Sequence, residues 1–311
     1  MDGYKRMIKV FFISLAVFIT SFSQVLAATN TEDNITDGKA YLESVYQQMD
    51  KVESFNLQMA IDVRSAIITC AIASNFDYFS NENDAISKIN TKIVLHSVKD
   101  QPNEIQIDQY IKKQKNKVDL YTNLDNTWSK MSVEESKKES ADVIDAKTMM
   151  RFIKEVEVKD QNDDEVVLNV KINMAEMKKL VLSTTKEIFN EESKDKENNK
   201  KAQVFIEKFL NAVDDFSYIV AIDKKTKQIH SVYMDLSKPV QVGVLLAIDE
   251  MNLTEKEKIA YQLMAKDMQV ILQEDISKIN QVVKFDVPKS VIKSAAKTED
   301  REKEKKIENA A

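Results

Sequence analysis

The sequence predicts an α+β fold built on an antiparallel sheet packed under helices, and three observations carry that reading. Phe55, Leu57, Met59, Ile61 and Val63 alternate with Asn56, Gln58, Ala60, Asp62 and Arg64, the period of a strand with one apolar face and one wet face. Short apolar runs between residues 89 and 131 are separated by close turns, which makes a meander of sequential hairpins. Segments such as 42–52 and 174–190 repeat apolar residues at three and four, so each presents one helical stripe to a core. A half-apolar sheet and half-apolar helices each need the other for burial.

The elements follow in order. The first helix is expected to start at Thr36 or Asp37, either of which can cap it, with Leu42, Val45, Tyr46, Met49 and Val52 on its buried face. The strand over 55–63 comes next, odd positions buried and Asn56, Gln58, Asp62 and Arg64 exposed. Residues 65–82 interrupt the alternation and read as an elaborated connection, a lid or an insertion. Three strands then carry Ile89, Ile93 and Leu95, then Ile105, Ile107 and Ile111, then Val118, Leu120 and Thr122, and Leu124-Asp125-Asn126 turns the chain into a return strand over 127–131. Ser140 to Phe152 reads as a helix, Val156 and Val158 precede an acidic turn at 160–164, and Val166, Leu168, Val170 and Ile172 alternate as a strand. A helix over 174–190, an exposed charged connector over 191–201, and a short helix around Val204–Leu210 follow. Phe216–Ile222 and Gln228–Asp235 form a hairpin across the turn at 223–227. Residues 245–263 read as helical, 268–272 as a strand, and 282–287 as a last strand stopped by Pro288.

Composition removes several functions. The chain has 311 residues with 3 Gly and 1 Cys. Gly3, Gly38 and Gly243 stand apart, so no glycine-rich phosphate cradle and no G-x-S-x-G elbow can be built. One cysteine excludes an internal disulfide framework and multi-cysteine metal sites. Cys70 reads as a small buried hydrophobe or a free thiol between chains. Asp160, Asn162 and Asp164 have the spacing of a calcium loop, but Glu165 and Lys171 stand where glycine and glutamate are required, so the segment reads as a solvated turn. His96 and His230 lack a local HxH or HxxxH partner. No metal, no cofactor and no catalytic constellation is therefore expected, and the chain is not read as an enzyme.

The N-terminus is expected to be an address. Lys5, Arg6 and Lys9 precede the apolar run Val10–Ile19, and Ala27-Ala28 suits signal peptidase. The run is about half the roughly 20 residues of a spanning helix. No cysteine lies at its end, so a secreted, extracytoplasmic protein without a lipid anchor and without a stable transmembrane segment after cleavage is expected. Loss of residues 1–27 removes Lys5, Arg6, Lys9 and Asp2 from 45 basic and 51 acidic residues, leaving 42 and 50. That acidic balance argues against nucleic acid as a partner.

Four pieces, taken in this order, resemble the periplasmic lipoprotein-carrier (LolA-like, LppX-like) superfamily. A helix runs into a long alternating strand (AYLESVYQQMDKVESFNLQMAIDV). A tyrosine strand turns into a tryptophan strand (VDLYTNLDNTWSKM). A late hairpin reads FSYIVAIDKKTKQIHSVYMDL, and the chain closes on VVKFDVPKSVIKSA. Two departures stand out: Asp125-Asn126 replaces the usual glycine of the turn, and the lipobox cysteine of many relatives is absent. The resemblance implies a strongly curved antiparallel sheet, a half-barrel, with helices on its concave face and a cavity between them. The residues themselves read as a signal peptide at 1–27, a flexible tether at 28–37 and a charged, disordered tail at 295–311, and the resemblance implies one carrier-like domain over 38–294. The implied function is non-enzymatic binding of an apolar or lipid-like ligand in the cell envelope. The cavity candidates are Phe55, Leu57, Met59, Ile61, Val63, Tyr121 and Trp128. Trp128 and the aliphatic residues serve equally as plain core, which leaves a second expectation: an extracytoplasmic interaction or sensor module with a filled core and an envelope protein partner.

Overall fold

Asp37 sets the start of the first helix: its Oδ1 accepts from the backbone N–H of Lys39 at 3.1 Å and of Ala40 at 3.0 Å, which satisfies two donors that a helix start leaves open. In the computed structural model the described residues are 35–49, 51–66, 68–81, 84–97, 101–115, 117–134, 146–190, 196–251 and 253–296. The signal peptide and most of the tether, the first half of the helix expected over 140–152, and most of the charged tail lie outside them.

The described helices are α1 (Gly38–Met49), α2 (Ala146–Arg151), α3 (Met174–Asn190), α4 (Lys196–Ala212), α5 (Ser237–Asp249) and α6 (Glu255–Lys266), with a further helical stretch at 289–296. The strands are β1 (Ser54–Arg64), β2 (Ile68–Ser80), β3 (Asp84–Ser97), β4 (Asn103–Gln114), β5 (Lys117–Leu124), β6 (Thr127–Glu134), β7 (Ile153–Gln161), β8 (Glu165–Ile172), β9 (Ser217–Asp223), β10 (Gln228–Asp235) and β11 (Gln269–Ser277). They form one open 11-stranded sheet in the order β6-β5-β4-β3-β2-β1-β11-β10-β9-β8-β7, with β6 and β7 at its edges. The fold is α+β, and every pairing with a resolved register is antiparallel. The chain divides into two compact units: α1–α6 with β7–β10, and β2–β6 with most of β1, the end of β11 and the residues after it.

In the first unit α1 packs on β7 and β10. Its start comes so close that a Cβ on Gly38 would stand 3.1 Å from Val156 Cγ1. Tyr41, Leu42, Val45, Tyr46 and Met49 are buried, at the three-and-four spacing of a helical stripe. On the sheet, Val166 faces Ile222, Leu168 faces Val220 and Val170 faces Tyr218 across β8 and β9, all deeply buried. The turn at 162–164 is an Asx turn: Asn162 Oδ1 accepts from the N–H of Asp164 and Glu165, both at 2.8 Å. Helices α3 to α6 pack in chain order, each on the next, and α6 opens with a capping box of Thr254 and Glu257.

Several expectations are corrected. Residues 65–82 are not a connection or lid: 68–80 form β2, paired residue for residue with β3. Ile35, expected in a loose tether, is buried at 3% exposure, and its N–H donates to Gln161 Oε1 at 3.1 Å. The connector expected over 191–201 is helical from Lys196 onward. The helix expected over 245–263 is two helices, the first starting at Ser237, with Pro239 in the first turn, where a missing N–H costs nothing. Residues 282–287 are not a strand. After β11, Lys278 and Asn280 take φ of 53° and 54°. Asn280 Oδ1 then accepts from the N–H of Glu53 at 2.9 Å, which turns the chain out of the ladder. Ala295, expected in the disordered tail, is fully buried in the helical stretch.

Candidate functional site: the two faces of the β1–β6 meander

The register of the second unit sorts its side chains onto two faces, because directly opposed residues of an antiparallel pair point the same way. One face carries Cys70 opposite Leu95, Ile72 opposite Ile93 and Ile105, Ile107 opposite Leu124, and Leu120 opposite Ile111 and Met131, with Val118 opposite Val133. Phe76 and Tyr78 share this face. The exposed large apolar residues of the meander are Ile68 at 41%, Leu95 at 38%, Leu124 at 48%, Met131 at 56% and Val133 at 51%. All five lie on it. The face is largely apolar and half-exposed across β2–β6, with two polar pairs among its aliphatic rows: Ser74 with Thr91 at 2.9 Å and Gln109 with Thr122 at 3.2 Å.

The odd side of β1 continues that face. The Phe55 ring centroid stands 5.1 Å from Tyr78 and 5.8 Å from Phe76. Phe55, Leu57 and Ile61 are buried, as expected, whereas Met59 and Val63 are half-buried. Of the even set, Gln58 and Arg64 are exposed and Asp62 is half-buried. Asn56, expected to be exposed, is buried at 4%. Its Nδ2 donates to Asp77 Oδ1 at 2.7 Å and Asn75 Oδ1 at 3.1 Å, and its Oδ1 accepts from Ser277 Oγ at 3.4 Å. A polar side chain can be buried when its hydrogen bonds are met.

The opposite face is polar. Asn75, Asn90, Asp108 and Asn123 stand in one row across β2–β5. Asn90 Nδ2 donates to Asp108 Oδ1 at 2.7 Å, and Asn123 Nδ2 to Asp108 Oδ2 at 3.2 Å. One apolar island interrupts it: Ile86 and Tyr121 with Phe79, Tyr110 and Trp128, covered by Phe285, Val287, Val291 and Ala295. Trp128 stacks obliquely on Tyr110 with ring centroids 5.9 Å apart, and the Lys130 ammonium stands 5.3 Å above the Tyr121 ring. The seven cavity candidates are therefore not brought together. Phe55, Leu57, Met59, Ile61 and Val63 belong to the apolar face, whereas Tyr121 and Trp128 anchor the C-terminal helical stretch on the other face.

An open cleft of about 650 Å³ lies beside that island, lined by Asp77, Lys88, Tyr110, Lys278, Phe285 and Asp286 among others. None of the seven candidates lines it. Its acids are engaged: Asp77 accepts from Asn56, and the Lys112 ammonium, 2.7 Å from Asp286, holds that carboxyl below the usual carboxylate range. Cys70 is half-buried on the apolar face, and burial pushes its thiol up. His230 Nε2 lies 2.8 Å from Glu165 Oε2 on half-exposed strands. Among the described residues no three of His, Cys, Asp and Glu gather as a metal site, and no helix is long and apolar enough to cross a membrane.

Sequence reasoning missed Glu274. It is 1% exposed in β11, and its Oε1 has no hydrogen-bond partner among the described residues. Burial raises its carboxyl from 4.5 to about 7. Ser277 meets Asn56 on the polar face, so the strand's alternation puts Glu274 and the buried Ile276 on the apolar face. The signal was present as a glutamate in the buried parity of Val270, Leu272 and Ile276. No protein-family model and no curated protein sequence matches this chain.

Proposed function

We propose that the protein binds an apolar or lipid-like ligand against the apolar face of its β1–β6 meander, without catalysing a reaction on it. The carrying observation is that Ile68, Leu95, Leu124, Met131 and Val133 all lie on one face. Exposed apolar residues are ordinary when scattered, and five of them gathered on one face of one meander support a binding surface. Covering such a face gains about 0.8 kcal/mol per methylene removed from water. The carrier resemblance supports the reading, because it implies an antiparallel sheet that binds its ligand on an apolar face. An extracytoplasmic site of action, reached through the N-terminal signal, belongs to the same reading.

The test is titration of a fluorescent acyl chain into wild type, Ile93→Lys and Ala73→Lys. Ile93 sits between Ile72 and Ile105 on the apolar face, and Ala73 lies exposed on the other. Binding about tenfold weaker in Ile93→Lys and unchanged in Ala73→Lys is expected. Absence of saturable binding by the folded wild type would contradict the proposal.

A further inference from the structure

We propose that the open cleft beside the Tyr110–Trp128 island is a second binding site, on the opposite face of the meander, for a small organic anion with a flat apolar body, such as an aromatic carboxylate. It stands apart from the apolar-ligand reading above, which concerns the other face.

The cleft lies wholly within the second compact unit. One side of it is a cross-strand row in which Lys88 on β3 stands between Asp77 on β2 and Tyr110 on β4. The other side is the segment after β11, with Lys278, Val283, Phe285 and Asp286. Its volume of about 650 Å³ falls within the roughly 300–1,000 Å³ of small-molecule sites.

The lining combines rings with ammoniums. Tyr110 and Phe285 supply aromatic surface, Trp128 backs the Tyr110 ring at 5.9 Å between centroids, and Val283 is open to solvent at 83% exposure. Lys88 and Lys278 are the cations of the lining, and among the described residues neither ammonium has an ion pair or a hydrogen-bond partner. The two carboxylates are occupied: Asp77 Oδ1 accepts from Asn56 Nδ2 at 2.7 Å, and Asp286 Oδ1 lies 2.7 Å from Lys112 Nζ. With Lys112 counted, three ammoniums stand against two carboxylates, and the two unpaired ones face the cleft. An ammonium holds a carboxylate through charge-assisted hydrogen bonds, and aromatic rings take a flat apolar body in offset contact. A neutral ligand would use the rings alone, and a cationic one would meet two unpaired ammoniums.

The experiment is calorimetric titration of 3-phenylpropionate and its neutral counterpart 3-phenylpropionamide into wild type, Lys88→Gln, Lys278→Gln and Ile93→Lys. Wild type is expected to bind the carboxylate about tenfold more tightly than the amide at low salt. Each glutamine variant is expected to reduce that preference about threefold to fivefold, and Ile93→Lys, on the apolar face, to leave it unchanged. Val283→Glu sets a carboxylate at a position already open to solvent, and is expected to weaken binding of the carboxylate more than of the amide. Equal affinity of wild type for the two probes would overturn the proposal, as would a preference that survives intact in either glutamine variant. So would the absence of saturable binding of 3-phenylpropionate by wild type. Loss of 3-phenylpropionate binding in Ile93→Lys alone would overturn it by placing the anion on the apolar face.

Discussion

The hydroxyls of Tyr46 on α1 and Tyr218 on β9 lie 2.7 Å apart with both side chains buried. Burial pushes the Tyr46 hydroxyl up to about 12 and that of Tyr218 well above its ordinary value, so the bond joins two neutral groups throughout the physiological range. It ties α1 to the sheet together with the bond from Lys39 Nζ to the Ile153 carbonyl at 3.2 Å. Removing either hydroxyl takes away this buried hydrogen bond, at about 0.5–1.5 kcal/mol. Tyr46→Phe and Tyr218→Phe are each expected to lower stability in urea titrations by that amount. The double variant should lose less than the sum of the two. Strict additivity would show that the pair is not coupled.

Glu274 makes stability depend on pH in the direction opposite to a salt-bridged acid. Its folded value of about 7 lies above its ordinary 4.5. The folded state therefore holds the proton more tightly than the unfolded chain, and stability falls as pH rises. The penalty is absent below about pH 4.5, grows between 4.5 and 7, and reaches about 3 kcal/mol above that. Urea midpoints of wild type and Glu274→Gln compared across this window should diverge as pH rises, with the variant gaining relative stability. A constant difference would contradict the burial of an ionisable proton at this position.

The hairpin between β5 and β6 turns on two residues in the left-handed region, Asp125 at φ 51° and Asn126 at φ 60°. That is the backbone of a type I′ turn, which the right-handed twist of the strands favours. Asn126→Gly is expected to leave stability unchanged or raised by a few tenths of a kcal/mol. Asn126→Val, whose branched side chain clashes there, should cost about 1–2 kcal/mol. Thermal unfolding of the two variants checks this, and equal midpoints would contradict it.

Asn56 is the join between β1 and the polar row of β2. With Asn56→Ala, Asp77 and Asn75 lose the donor that now reaches them at 2.7 and 3.1 Å. A loss of about 1–3 kcal/mol is expected in urea titration. Asn56→Asp should be worse, because it sets a carboxylate against Asp77. A variant as stable as wild type would show that these bonds are replaced by water.

The strands with clean alternation were legible in the sequence: β1, β8, β9 and β10 fall where the period of two places them, and α3 spans the expected 174–190. β2 was hidden because Ala71, Ala73 and Phe79 put apolar residues in the polar parity, so the period disappears although the pairing is regular. The segment at 282–287 misled in the reverse way. Its alternation is real, but Phe285 and Val287 pack onto the island around Tyr110 and Trp128 and not beside a strand. Asn56 and Glu274 escaped because partners and burial are set by strands far away in sequence. For the same reason, the sequence does not show that β2 to β5 separate Trp128 from β1.

Photolabelling with a long-chain alcohol carrying a diazirine near its chain end tests the central claim most directly, because it reports which face the ligand touches. The expected result is saturable labelling, competed by unlabelled alcohol, at residues of the apolar face such as Ile72, Ile93, Ile107, Leu120 and Met131. Labelling confined to the cleft around Tyr110 and Phe285, or labelling that competitor does not reduce, would contradict it.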